Sequence, residues 1–205
     1  MLEQPDYVEV RVNGEWQRAD LAVLATPASV SRELMAAATV HIALALRTGW
    51  QPPPAVAGIY GALLAPGEDA MLAGLTLENE RFPGSKPDSE VLSVMLRDET
   101  ARAMASYADA ELIRAVMPPL ERHFPDLRNA VVSAHIQRWP AAEPLSPVGR
   151  ARAIARYRAS LTWDRRVVLA GDYLGSPWTD GAAETGLWAA RHLLRRSAPE
   201  VTRAG

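Results

Sequence analysis

The sequence predicts a mixed α/β fold, and three patterns in its 205 residues support that prediction. The stretch Val8–Val12 alternates apolar and polar residues with a period of two, which is typical of a half-buried strand. The runs Leu21–Ala25 and Val167–Gly171 are apolar on both faces, which is typical of buried parallel strands. Helical spacing of apolar residues is found from 98 to 124 and again at 150–161 and 180–196.

The first 96 residues contain mainly strand patterns. Asn13-Gly14 predicts a hairpin turn, because both residues tolerate positive φ. Ser29–Met35 predicts a short helix after Thr26-Pro27 ends the preceding strand. Four further apolar runs of strand length lie at 40–46, 59–64, 71–77 and 91–96, and a loop rich in Pro and Gly is expected from Glu80 to Asp88.

Helices dominate the second half of the chain. Helices are predicted over 98–107 and 109–124, and Pro118-Pro119 should kink or split the second one. A strand is predicted from Ala130 to Ile136, ending at Arg138-Trp139-Pro140. The remaining predictions are a basic helix at 150–161 and a final helix at 180–196, with Ala183, Leu187, Ala190 and Leu194 as its apolar face.

Composition excludes several classes of function. The net charge of −2 and the absence of a basic stripe argue against nucleic acid as a partner. The chain has no cysteine, which excludes disulfides, thiolate catalysis and cysteine-based metal centres. The four histidines are scattered, so no metal site is expected. No apolar run approaches the roughly 20 residues that cross a bilayer, so no transmembrane segment is expected, and peripheral membrane contact is left open. The N-terminus carries acids and no apolar core, unlike a signal peptide, so we expect a cytoplasmic protein.

The strand, loop and helix at 166–196 carry the best candidate site. Gly171 and Asp172 follow the buried strand at its carboxyl end, where ligands bind in α/β sheets. Glycine permits close approach of a ligand, and the Asp172 carboxylate can accept hydrogen bonds from sugar or ribityl hydroxyls. The small residues Gly181 and Ala182 follow Asp180 at the start of the last helix, where free N–H groups favour an anion or an electron-rich carbonyl oxygen.

The segment LAGDYLGSPWTDGAAETGLWAARHLL resembles the C-terminal flavin-binding motif of the protoporphyrinogen oxidase, amine oxidase and carotenoid desaturase superfamily. Three earlier stretches are similar to that superfamily in the same order: RADLAVLATPASVSREL, the hairpins from 58 to 96 with Phe82-Pro83, and IQRWPAAEPLSPVGRARAI. The resemblance implies FAD as cofactor, with Asp172 near the ribityl–pyrophosphate region. It also implies that the backbone at Gly181 and Ala182 faces the N1–C2=O edge of the isoalloxazine.

The resemblance also implies a domain organisation. Residues 1–35 and 140–196 would supply parts of an FAD-binding domain, and 36–139 would form an antiparallel, helix-backed substrate domain, followed by a tail at 197–205. The implied reaction is dehydrogenation of a small molecule by hydride transfer to flavin N5. Porphyrinogens are the first expectation for the substrate, amines the second and isoprenoids the third.

One feature of the superfamily is missing from the sequence. Members begin with Gly-x-Gly-x-x-Gly after a first strand, with an acid about 20 residues later, and no such fingerprint occurs here. We therefore expect roughly the N-terminal half of a typical member to be absent from this chain. Two alternatives follow: an enzyme whose other half comes from a second chain, or from a homodimer partner, and a non-catalytic remnant that serves as a binding or scaffold module.

The remaining candidates have ordinary structural alternatives. Trp139, Tyr173 and Trp178 could line a substrate cavity or belong to the core. Asp172 and Asp180 could cap a turn and a helix, although their place within the full motif favours contact with the cofactor. The arginines of the 150–161 helix are interpreted as a solvated face. No acidic or basic side chain is identified as catalytic.

Overall fold

The computed structural model describes residues 1–26, 36–81, 90–162 and 164–197, and at Arg196 and Ser197 it describes the backbone only. The predicted helix Ser29–Met35, most of the predicted loop at 80–88 and the tail after 197 lie outside the described residues. The chain forms two compact units: unit 1 is Met1–Ala36 with Glu143–Gly205, and unit 2 is Ala37–Ala142. Strands and helices occur in both units, which confirms the predicted mixed α/β fold.

Unit 1 begins with four strands. These are β1 (Leu2–Glu3), β2 (Val8–Val12), β3 (Glu15–Ala19) and β4 (Ala22–Leu24). The first three form an antiparallel sheet in the order β1-β2-β3. The turn between β2 and β3 has Asn13 at φ 52° and Gly14 at φ 90°, so the hairpin predicted from Asn-Gly is confirmed.

Unit 2 contains a five-stranded sheet in the order β6-β7-β8-β5-β9. Its strands are β5 (Ala36–Leu46), β6 (Gly61–Leu63), β7 (Leu72–Leu77), β8 (Val91–Leu96) and β9 (Val131–Pro144). Its helices are α1 (Glu78–Arg81), α2 (Asp98–Ala103), α3 (Asp109–His123) and α4 (Leu127–Ala130). The pairs β6–β7, β7–β8 and β5–β8 are antiparallel, and α2 ends four residues earlier than the predicted Tyr107.

The core of unit 2 follows from alternation along β5. Val40, Ile42 and Leu44 point to one face and are fully buried, while the residues between them are half-buried. Leu112 and Leu120 of α3 belong to the same cluster of buried side chains. The sheet therefore buries one face against an amphipathic helix, which is the helix-backed arrangement that the sequence predicts.

Two elements of unit 2 continue past prolines that the sequence predicts to interrupt them. Helix α3 continues through Pro118-Pro119, so the predicted split does not occur, and a kink stays a prediction. Proline removes the N–H of a helical hydrogen bond, but Pro119 lies on the buried face between Val116 and Leu120, and this packing maintains the helix. Strand β9 likewise continues past Trp139-Pro140, because it is an edge strand in which a missing N–H need not break a ladder.

A buried carboxylate fixes the loop before β7. Asp69 accepts hydrogen bonds from the N–H groups of Met71 at 2.7 Å and Leu72 at 2.8 Å, and it pairs with Arg122 at 2.5 Å. Arg97 donates to the backbone carbonyls of Asp69 and Leu64. Burial alone would raise the pKa of Asp69, but the two N–H donors and Arg122 outweigh it, so the pKa lies below its ordinary value.

Unit 1 is completed by elements from the end of the chain. These are α5 (Arg150–Ser160), β10 (Val167–Leu169), a short 3-10 helix (Asp172–Leu174) and α6 (Thr179–Ser197). Strand β10 pairs in parallel with β4, in the register Val168 opposite Val23. Val168 is fully buried, but Val23 is 43% exposed, so the prediction that the β4 run is buried on both faces is wrong. Among the described residues β4 pairs only with β10, which leaves its other side uncovered.

Helix α6 buries a different face from the predicted one. Its buried positions are Gly181, Thr185, Ala189 and Leu193, and the last two pack on Val168 and Ala170. The predicted face lies opposite, with Leu187 59% exposed and Leu194 65% exposed. The small residues of the buried stripe allow close approach to β10, whereas hydropathy alone favoured the leucine-bearing stripe. The helix is thus apolar on two opposite faces, a pattern typical of a helix buried on both sides.

Candidate functional site

The loop between β10 and α6 begins at a glycine that no other residue could replace without strain. Gly171 has φ 154°, and a Cβ there would lie 2.3 Å from Cε1 of Tyr173. Its N–H donates to Thr185 Oγ1 at 3.0 Å, and the same hydroxyl lies 3.0 Å from the Gly171 carbonyl and 3.1 Å from that of Ala182. Thr185 is fully buried, and it was missed from the sequence because a mid-helix threonine carries no distinctive pattern.

Asp172 starts the 3-10 helix with its carboxylate unpaired. Its backbone carbonyl accepts the Gly175 N–H at 3.1 Å, and the preceding Gly171 carbonyl accepts the Leu174 N–H at 3.0 Å. The carboxylate makes no hydrogen bond or ion pair with any described residue, although the residue is half-buried. A half-buried carboxylate of this kind can accept hydrogen bonds from a ligand's hydroxyl groups.

The free donors at the start of α6 include the predicted Gly181 but not the predicted Ala182. The Ala182 N–H already donates to the Trp178 carbonyl at 3.0 Å. The N–H groups of Thr179, Asp180 and Gly181 make no hydrogen bond within the described part of the chain, as expected in the first turn of a helix. Gly181 is required for packing, because a Cβ there would lie 2.0 Å from the Ser176 carbonyl oxygen.

The three aromatic candidates differ in exposure. Tyr173 is buried, and its hydroxyl lies 3.4 Å from the Leu24 carbonyl, which favours a structural role in unit 1. Trp178 is 66% exposed in the same loop, so its ring is free to contact a ligand. Trp139 is half-exposed on β9 and belongs to the edge of the unit 2 sheet.

Two arginines of α5 contact the loop, which sequence analysis missed. Arg150 and Arg158 are half-buried and donate to loop carbonyls, so the interpretation of a solvated face is wrong for them, whereas Arg152 and Arg156 are exposed. The helical spacing contained this signal. Arg150 and Arg158 share the stripe of positions 150, 154, 157 and 158, and these are the half-buried positions of α5.

The same helix borders a cavity of unit 1. The cavity measures about 500 Å³ and is lined by Pro147 to Arg150, by Ile154 and Tyr157, and by Tyr173 with Leu174. Tyr157 also accepts a hydrogen bond from the Leu169 N–H at 2.9 Å, and burial raises the pKa of its hydroxyl. The cavity walls are mainly apolar, so the space adjoining the loop suits an aromatic or aliphatic group.

Two classes of feature are not seen in the described residues. No group of three or more His, Cys, Asp or Glu side chains there could hold a metal ion. No described helix is both long enough and apolar enough to cross a membrane.

Solved structures of several oxidases share the fold of this chain. A protein of Exiguobacterium sp. 255-15 with a provisional protoporphyrinogen oxidase name matches with a TM-score of 0.71 and 17% identity, over 95% of this chain and 45% of its own. Cyclohexylamine oxidase from Brevibacterium oxydans IH-35A matches with a TM-score of 0.66 and 16% identity, over 95% of this chain and 47% of its own. Putrescine oxidase bound to putrescine matches with a TM-score of 0.69 and 16% identity, over 94% of this chain and 47% of its own.

The chain thus spans less than half the length of these structures. No functionally curated protein gave a significant sequence match. The family model for flavin containing amine oxidoreductases matches residues 2–194, which is nearly the whole chain. The chain therefore belongs to the flavin containing amine oxidoreductase family, whose cofactor is FAD.

Proposed function

We propose that this chain contributes the isoalloxazine and ribityl contacts of an FAD-dependent dehydrogenase. The observation that carries the proposal is the unpaired carboxylate of Asp172, which follows the parallel strand β10. The same strand–loop–helix supplies the free N–H groups at the start of α6. Carboxylate acceptors and helix N-terminal donors are the two kinds of group that a ribityl chain and a flavin carbonyl edge require.

The described residues fit this cofactor. Asp172 would accept hydrogen bonds from ribityl hydroxyls, and the amides of Thr179, Asp180 and Gly181 would face an electron-rich carbonyl oxygen. The first turn of a helix carries about half a positive charge and therefore favours negative charge on a nearby group. The bound flavin would supply the redox chemistry by accepting hydride at N5. The protein contributes orientation and electrostatics, and no acidic or basic side chain of this chain is assigned a catalytic role.

The substrate is proposed to be a small molecule with an oxidisable C–H or C–N bond. Structural neighbours named for protoporphyrinogen, cyclohexylamine and putrescine oxidation support this class. Porphyrinogens are the first proposal for the substrate and amines the second. This order rests on the resemblance of the unit 2 hairpins to those of the protoporphyrinogen oxidase branch. We propose that unit 1 holds the flavin and that unit 2 contributes to substrate binding.

We further propose that a βαβ unit outside these 205 residues holds the adenosine diphosphate half of FAD. The sequence contains no Gly-x-Gly-x-x-Gly fingerprint. Val23 on β4 and Leu187 and Leu194 on the outer face of α6 are exposed apolar side chains. Parallel strands occur almost only in sheets covered on both faces, so these surfaces suit additional parallel strands and helices. The βαβ unit could belong to the same polypeptide, to a second chain or to a homodimer partner.

Equilibrium dialysis against flavin mononucleotide (FMN) tests the proposed ring and ribityl contacts. FMN carries both of these groups without adenosine, so the test does not depend on the missing βαβ unit. We expect the full chain to bind FMN and Asp172→Ala to weaken that affinity about tenfold, as for the loss of one or two charge-assisted hydrogen bonds. Asp20→Ala is the matched control, because the Asp20 side chain is exposed in the same unit. Equal affinities of wild type and Asp172→Ala would remove Asp172 from the site.

A further inference from the structure

We infer that Arg150 is a positioning residue for the flavin loop, and this inference rests on the proposed function. Its guanidinium Nη2 donates to the backbone carbonyls of Asp172 and Gly175, each at 3.0 Å. These carbonyls flank the two ends of the 3-10 helix at Asp172–Leu174. One side chain therefore holds both ends of the segment that carries the Asp172 carboxylate.

The arginine is itself held in place. Its Nη1 donates to Ser146 Oγ at 2.8 Å, so the second terminal nitrogen of the guanidinium is also held by a hydrogen bond. Residues 147–149 connect Ser146 to α5, and Gly149 at φ 94° is the turn that starts the helix. A lysine has one ammonium centre and cannot match this fork of donors, so the site is built for arginine.

Arg158, eight residues further along α5, adds a second connection to the same segment. Its Nη2 donates to the Leu174 carbonyl at 3.1 Å and lies 3.4 Å from Glu184 Oε1 in α6. Its guanidinium also lies 4.8 Å from the centre of the Trp188 ring. The carbonyls of Asp172, Leu174 and Gly175 are thus all bonded to α5, and Arg158 also ties α5 to α6.

This geometry has a functional consequence. The two hydrogen bonds of the 3-10 helix itself, from the Leu174 and Gly175 N–H groups, are those of a single turn, which is weak in isolation. The arginine donors fix the backbone of Asp172, which limits the directions that its carboxylate can take before a ligand arrives. Preorganisation of this kind raises affinity because less conformational freedom is lost on binding.

Hydrogen–deuterium exchange and FMN dialysis on the full chain test the inference with Arg150→Gln, Arg150→Lys and Arg152→Gln. Arg152 is exposed on the same helix and makes no hydrogen bond or ion pair with any described residue, so it is the matched control. We expect Arg150→Gln to speed exchange of the Leu174 and Gly175 amides about tenfold or more and to weaken FMN binding by a similar factor. Arg150→Lys preserves the charge and the fold and should still weaken FMN binding severalfold.

The visible-region circular dichroism of FMN at saturation separates positioning from a purely structural role. We expect a changed spectrum with Arg150→Lys and an unchanged one with Arg152→Gln. Wild-type FMN affinity and spectrum in both Arg150 variants would overturn the inference, even if exchange in the loop were faster. Absence of FMN binding in the wild type would instead overturn the proposed function, so the two failures are distinguishable.

Discussion

The two units differ in how completely they bury their sheets. Unit 2 has five strands, and the buried residues of β5, β7 and β8 form one cluster with those of α3. The parallel sheet of unit 1 has two strands of three residues each, and its buried cluster is formed by Val168, Ala170, Ala189 and Leu193. On its outer surfaces Val23, Leu187 and Leu194 are exposed.

This difference indicates which unit can be stable by its own contacts. An antiparallel sheet backed by a helix completes a core, as unit 2 does. Two short parallel strands under one helix bury little apolar area, and parallel sheets are normally covered on both faces. The candidate flavin loop therefore lies in the unit whose described core is smaller, and we expect its stability to depend on what covers β4 and α6.

The largest expected contrast comes from the same substitution in each unit. Leu44→Ala removes a fully buried side chain from the unit 2 core and should lower the free energy of unfolding by about 3–4 kcal/mol. Leu187→Ala removes a side chain that is 59% exposed and should change it by less than about 0.5 kcal/mol. Urea denaturation followed by circular dichroism measures both. Similar losses in the two variants would mean that Leu187 is buried in solution.

A second contrast concerns ion pairs within unit 2. Asp69→Asn should cost about 2–3 kcal/mol of unfolding free energy, because it leaves the Asp69 site, with its two N–H donors and Arg122, without a negative charge. Asp109→Asn, which breaks an exposed pair with Arg138, should cost less than about 1 kcal/mol. Thermal and urea denaturation of both variants provide the comparison. Equal effects would show that the burial of Asp69 has no energetic consequence.

Acid should weaken unit 2 through the same carboxylate. The pKa of Asp69 is lowered in the folded state from an ordinary value of 3.8. The stability that the ionised carboxylate contributes is therefore present above that pH and is lost as the pH falls through the folded pKa. We expect the free energy of unfolding of the wild type to decrease as the pH is lowered below about 4, and that of Asp69→Asn to decrease less steeply. Equal slopes of unfolding free energy against pH in the two proteins, between pH 5 and about pH 2, would contradict this assignment.

The smallest expected effect on folding, with a clear effect on association, comes from the outer face of α6. We expect the wild-type chain to self-associate through exposed apolar surface and to do so at high salt as well. Leu187→Ser with Leu194→Ser should shift light-scattering mass toward the monomer. Leu63→Ser in unit 2 is the control, because Leu63 is 85% exposed on a different unit. A wild type that is a salt-independent monomer would contradict the prediction.

Much of the fold could be predicted from the sequence where local pattern and tertiary packing agree. The β2–β3 hairpin, strand β8 at Val91–Leu96 and the parallel type of strand β4 follow from turn chemistry and apolar runs, whereas the pairing of β4 with β10 was not predicted. The exposure of Val23 could not be predicted, because it depends on which other strands are present. The buried face of α6 was missed because close packing selected small residues such as Gly181 and Ala189 over leucines.

The candidate site could be predicted less completely. The Gly171-Asp172 pair and the start of α6 were located from the motif, and their role in flavin binding stays a prediction. The free amides lie at Thr179 to Gly181 and not at Ala182, because Ala182 is the fourth residue of the helix and its N–H already bonds to the Trp178 carbonyl. The contacts of Arg150 join residues that lie 22 and 25 positions apart, which a single sequence does not reveal.

The central claim is that unit 1 holds the ring end of the flavin while another βαβ unit holds the adenosine end. Comparing the dissociation constants of FMN and FAD for the full chain tests it most directly. We predict that the two constants agree within about threefold, because nothing in this chain is assigned to adenosine. FAD bound more than about tenfold tighter than FMN, and retained through desalting, would contradict the claim and show that these residues hold the whole cofactor unaided.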